Sequence, residues 1–201
     1  MTDPKTPEVK LDLAQVEAAA ARDEGLSFPR TFLSDLIEKG LGYLYSVVNW
    51  TWLILMLIIV GTVAMRHFIG GNTVWAEETQ WHLYAVGFMV GISAAIVADS
   101  HVRVDVLAAQ FRPKLRAWIE LLMIVLIIFP LCWLIIYYGY AFTERSFRLN
   151  ERSSNVGGLT NRWMIKGVIV LAFGLIALAS FARLLRVMAF LFHFPRPIQD
   201  R

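Results

Sequence analysis

Residues 77–105 read EETQWHLYAVGFMVGISAAIVADSHVRVD. The paired acid Glu77-Glu78 stands just before an apolar run that starts at Trp81 and meets no Asp, Glu, Lys or Arg until Asp99. Such a run approaches the roughly 20 residues that a helix needs to cross the hydrocarbon of a bilayer. Charges bracket it, with Glu77 and Glu78 on one side and Asp99, His101, Arg103 and Asp105 on the other. An uncharged segment of spanning length with charged ends belongs in a membrane, and the rest of the chain repeats that pattern.

The composition requires lipid as a solvent. Of the 201 residues, 57% are hydrophobic and 17% charged, with a mean hydropathy of +0.56. A globular domain is nearer half apolar and about a quarter charged, so this surplus exceeds what one small core can bury. The net charge of +3 is modest. The arginines sit in loops beside apolar runs, which suits lipid headgroups and not nucleic acid. Cys132 is the single cysteine. It excludes an intrachain disulfide and reads as a packing residue.

Residues 1–30 differ from the remainder of the chain, with Pro4, Pro7, Pro29 and scattered charges. They read as a flexible tail, with a short amphipathic helix over 9–24 as the alternative. No apolar core follows a basic start, so a cleaved signal peptide is not expected. From Thr31, the residues Phe32, Leu33, Leu36, Ile37, Gly40, Leu41 and Leu44 recur at helical spacing. This predicts an interfacial amphipathic helix over 31–43.

A four-helix transmembrane domain is expected over 44–192, with spans at about 44–65, 81–98, 118–142 and 163–181, followed by a C-terminal tail over 193–201. Asn49 in the first span is either an interhelical hydrogen-bonding group or a headgroup-level residue. Gly87, Gly91 and Ala95 form a small-residue stripe in the second. It either admits a neighbouring helix closely or faces lipid. Pro130 should kink the third span, because its missing N–H leaves the Leu126 carbonyl unpaired. Glu120, one turn after Arg116, reads as a structural carboxylate near a helix start. Arg183 and Arg186 interrupt the apolar end of the fourth span and suggest an amphipathic interfacial finish.

Four spans put both termini on one side. Near the membrane, that side holds ten Lys and Arg residues against six on the other, so cytoplasmic termini are expected, N-in and C-in. Glu77 and Glu78 would then face outward. The fold class is an all-α membrane protein.

Enzyme signatures are missing. There is no phosphate-cradling loop, nucleophile elbow or paired-histidine metal helix, and no cofactor or metal is called for. The histidines lie at span ends, too shallow for axial haem ligands. Nor do the middles of the spans carry the ionisable groups that a substrate path usually needs. The chain reads as a membrane partner of something else.

The acidic pair Glu77-Glu78 entering the second span, and Asp99-Ser100-His101-Val102-Arg103-Val104-Asp105 leaving it, resemble the small membrane subunit of tripartite ATP-independent periplasmic (TRAP) transporters, the DctQ-like family. The four-span layout, length and cytoplasmic termini are similar too, over roughly residues 35–191; the tail before Thr31 has no counterpart. The resemblance implies a multi-pass protein of the bacterial inner membrane. It implies two partners, a large permease subunit that carries substrate and ion, and a soluble periplasmic protein that delivers the substrate. It further implies secondary transport of an organic acid driven by an ion gradient, with this subunit as a rigid scaffold.

On that resemblance, Glu77, Glu78, Asp99, His101, Arg103 and Asp105 would tie helix ends or contact the large subunit. Arg145, Arg148 and Arg152 would help dock the binding protein. The plainer alternatives are solvated charges beside a span and contacts to headgroups. The competing class is a free-standing four-span structural or regulatory protein.

Overall fold

The computed structural model of the chain describes residues 28–29, 31–70, 74–98, 112–192 and 194. Four helices in it are long and apolar enough to cross a membrane. They are α1 (Phe32–Phe68), α2 (Val74–Val97), α3 (Pro113–Arg148) and α4 (Trp163–Phe192). Among the described residues there is no β-strand.

The helices outrun the apolar windows that announce them. A helix ends where its backbone hydrogen bonds stop, not where hydrophobicity does. Thus α2 begins at Val74, which places Glu77 and Glu78 in its first turns and not in a loop before it. Residues 31–43 and the first span form one unbroken 37-residue helix, about 55 Å long at 1.5 Å per residue. Its start is well defined: the Thr31 side chain accepts from the Ser34 N–H at 3.3 Å, and Ser34 Oγ accepts from the Thr31 N–H at 3.0 Å. This reciprocal capping box satisfies both hydroxyls, which lets Thr31 and Ser34 be fully buried.

In α3 the disturbance expected at Pro130 takes a specific form. Residues Ile124–Ile128 make a π-helical turn, and Phe129 N–H donates to Ile124 O, five residues back. A wider turn gives the proline ring room and absorbs its missing donor.

α4 is the hub. It packs against α1, α2 and α3, whereas α1 packs on α2 and α3 rests on α4. Its buried positions are mostly small: Ala172, Ala179, Ser180, Ala182 and Ala189, with Ile176 and Val187 between them. Lipid tails are as apolar as side chains, so helices associate through close packing and polar ties, and small residues permit that approach. The outer faces of α1 and α3 remain apolar and exposed, with Trp50, Leu57 and Val63 on one and Leu126, Trp133 and Tyr137 on the other.

The α2 stripe is used at one position. A Cβ on Gly87 would stand 3.0 Å from the Trp52 ring and 3.1 Å from Thr51 Oγ1, so α1 approaches there at backbone distance. A Cβ on Gly91 would meet nothing within 4 Å. Gly91 and Ala95 instead line an open groove of about 270 Å³ beside Gly42 and Tyr45 of α1. Asn49 is exposed.

Candidate functional site

Polar chemistry gathers at the two ends of the bundle. At the end away from the termini, α2 anchors its neighbours in both directions. Arg66 Nη2 at the end of α1 lies 2.6 Å from Glu77 Oε1. One turn on, Gln80 Nε2 donates to Thr62 Oγ1 at 3.0 Å, and that hydroxyl donates to Ile58 O at 2.7 Å. Trp52 and Tyr84 continue the contact edge to face, with ring centroids 5.8 Å apart. The ion pair is exposed and contributes about 1 kcal/mol at most. The half-buried relay is the firmer tie, because in lipid an unpaired polar group has no water to turn to.

Glu78 faces the other way and holds the loop between α3 and α4. Its carboxylate accepts from Ser153 Oγ, from Asn155 Nδ2 at 3.2 Å and from the Leu159 N–H at 2.6 Å. The loop is built to present those donors. Ser153 N–H donates to Leu159 O at 3.0 Å, closing the turn from within, and Gly157 takes a left-handed φ of 82°. A Cβ on Gly158 would lie 2.5 Å from Ser153 Cβ and 2.8 Å from Glu78 Oε1. Only glycine lets the loop close on the carboxylate. The loop's other foot is Glu151, which pairs with Lys166 of α4; the ammonium beside it holds the Glu151 carboxyl below the ordinary carboxylate range. Lys166 also sits 3.9 Å above the Phe142 ring.

Arg145, Arg148 and Arg152 are exposed at this same end. Arg148 pairs with Glu144 of its own helix. The three thus share an end, and Arg145 and Arg148 ride on α3 while Arg152 rides on the loop that Glu78 clamps.

At the termini end the charges are largely withdrawn from the surface. Arg183 Nε lies 2.5 Å from Glu120 Oε1, with side chains 7% and 18% exposed. Arg186 Nη1 lies 3.0 Å from Glu38 Oε1, and its Nη2 donates to Phe28 O at 3.1 Å. Phe28 in turn lies under the Arg183 guanidinium at 4.8 Å and edge-on to Phe190 at 5.4 Å. Phe28, Ala117 and Val187 form the buried cluster beneath these ties. Glu120 is therefore one half of a buried interhelical pair and does more than favour a helix dipole. Arg183 and Arg186 turn into the bundle, so the end of α4 is not an interfacial amphipath. The sequence signal was two arginines three residues apart within an apolar helix, since ionisable groups there face partners inside the protein. Their partners are 63 and 148 residues away.

Asp99, His101, Arg103 and Asp105 lie outside the described residues. Among those described, no group of three His, Cys, Asp or Glu side chains stands together as a metal site requires.

Over residues 55–190 the chain matches the family described as tripartite ATP-independent periplasmic transporters, DctQ component. It is 26% identical over 116 residues to the sialic acid TRAP transporter permease protein SiaT of Haemophilus influenzae (strain 86-028NP). That match takes in 57% of this chain but only 18% of the relative. Four apolar helices tied at their ends suit a membrane component of such a system. This is a multi-pass protein of the inner membrane and a transporter component, not an enzyme. The family match covers well over half of the sequence, and the chain belongs to the DctQ-component family of TRAP transporters.

Proposed function

We propose that the chain is the small scaffold subunit of a secondary TRAP transporter, which imports an organic acid on an ion gradient after delivery by a periplasmic binding protein. The family implies a complex with a large permease and a substrate-binding protein. In this reading the large subunit carries substrate and ion, and the present chain braces it. One observation carries the proposal: the charged side chains of the helices gather at their ends. Between Lys39 and Arg66, Glu78 and the end of α2, Glu120 and Glu144, and Lys166 and Arg183 there is no Asp, Glu, Lys or Arg. A substrate path needs ionisable or unwound elements at mid-depth; a brace needs tied ends and an apolar flank.

The termini would lie in the cytoplasm, and Glu77, Glu78 and the loop would face the periplasm. Arg145, Arg148 and Arg152 would then meet the binding protein, steering it electrostatically. Asp99, His101, Arg103 and Asp105 would contact the large subunit at the other end.

The test is co-purification of a tagged chain with the large subunit in mild detergent, followed by uptake in proteoliposomes under an ion gradient. The chain should bring down the large subunit, and uptake should require both. Replacing Arg103 and Asp105 by Ala should lower the yield of complex. Uptake at full rate without this chain, or by this chain alone, refutes the scaffold role.

A further inference from the structure

The tip of the loop between α3 and α4 is a tight turn held from below. Gly158 N–H donates to Asn155 O at 3.0 Å, and Gly157 has a φ of 82°. Residues 155–158 therefore make a type II turn, which calls for glycine at its third position. Val156 takes the second position and is 89% exposed. An exposed valine alone is ordinary. What distinguishes this one is the bonding beneath it. Asn155 and Leu159, on either side of the tip, both donate to the Glu78 carboxylate. Asn155 N–H also donates to Ser153 Oγ at 3.2 Å, and that hydroxyl donates to Glu78 in turn. One carboxylate on α2 thus fixes the tip from both sides.

Positive charge is in excess around the loop. Residues 66–78 and 144–166 carry six Lys and Arg side chains against four carboxylates. Three of the cations are taken up in ion pairs, Arg66 with Glu77, Arg148 with Glu144 and Lys166 with Glu151. Arg145, Arg152 and Arg162 are exposed and enter no ion pair among the described residues. The Arg162 N–H donates to Glu151 O at 3.2 Å, which brings Arg162 near Arg152 at the base of the loop.

An apolar contact with cations beside it has the make-up of a protein interface, a desolvated centre and a polar rim. A loop that is already ordered gives up little freedom on binding, so its contacts appear as affinity. A bilayer is fluid, and a fixed tip gains nothing against it. A held turn counts against a surface of fixed shape, which is a folded protein, and the excess of positive charge selects an acidic one.

We infer that the turn at 155–158 is a pre-formed docking tip for the substrate-binding protein. Val156 seats in an apolar notch on that protein, and Arg145, Arg152 and Arg162 meet carboxylates around the notch. The inference rests on the function proposed above. It adds the element that makes the contact, and it makes Glu78 the positioning residue that holds this element in shape.

The test is binding of the purified substrate-binding protein to the complex of this chain with the large subunit in phosphatidylcholine nanodiscs, followed by biolayer interferometry. Val156→Ser changes no charge and should weaken binding by about tenfold or more, the size of losing one buried valine contact. Glu78→Gln gives the sharper result. It removes a negative charge from a basic end, so charge alone would make an acidic partner bind more tightly; loss of the held tip should make it bind several-fold more weakly. Ordinary or tighter binding by either variant, with the complex intact, overturns this inference and leaves the scaffold role standing. No binding by the unmodified complex, or no complex at all, refutes the proposed function and this inference with it. Cys132 is buried, so an environment-sensitive dye can be placed on Val156→Cys. It should emit as in water until the binding protein is added; lipid-like emission from the complex alone places the tip in the membrane and overturns the inference.

Discussion

The two ends of this bundle solve the same problem by opposite means. At the termini end, Arg183 is buried and Arg186 partly so, and each is matched by a carboxylate on another helix. At the loop end, Glu77 and Glu78 are half-exposed, and the groups that meet them are an exposed arginine and the donors of a loop. A buried pair is strongly coupled, because losing one partner strands the other charge where neither water nor lipid can solvate it. A half-exposed carboxylate that gathers loop donors orders the loop and holds the helices only weakly. The comparison assigns stability to one end and shape to the other: the termini end keeps α1, α3 and α4 together, and the loop end keeps a surface in form.

The most damaging change should therefore be Glu120→Ala. It removes the carboxylate that meets the buried Arg183 guanidinium above Phe28 and should cost about 3 kcal/mol or more, read as a lower midpoint of thermal unfolding in detergent. Pairing it with Arg183→Leu should recover part of the loss; a double variant as unstable as the sum of the singles would break the coupling claimed for this end. At the loop end, Gly158→Ala forces its new methyl against Ser153 and Glu78, and it should cost on the order of 1 kcal/mol. The sharper signature is hydrogen exchange, which should quicken over residues 153–159 with little change in α1. Glu78→Ala should have the smallest global effect. It should release the Leu159 amide to exchange while the unfolding midpoint hardly moves. A large drop in that midpoint would contradict the division between the ends.

Much of the bundle is legible in the chain. Four apolar runs, each near spanning length, predict four helices because a bilayer leaves the backbone no other way to satisfy its hydrogen bonds alone. Helix ends were less legible. The apolar window over 81–98 stops short of α2, whose first turns carry Glu77 and Glu78. The stripe at Gly87, Gly91 and Ala95 marked the right helix, yet one residue of the three is pressed against Trp52. Gly139, set among tyrosines, gave no such signal, and a Cβ there would stand 3.1 Å from Val170 Cγ2 of α4. Spacing shows that a smooth surface exists; the tilt and rotation of a neighbour choose which part of it is used.

Hydropathy and charge placement, read from the amino acids alone, determined the class of protein, the number of crossings and the uncharged middles. These properties depend on transfer between water and hydrocarbon, which each segment undergoes largely by itself. The pairs Glu120–Arg183 and Glu38–Arg186, the grip of Glu78 on the loop, and the position of α4 at the centre were decided only in three dimensions. Each joins residues on different helices, and in lipid the choice among apolar faces rests on close packing and on which buried charge finds its counterpart.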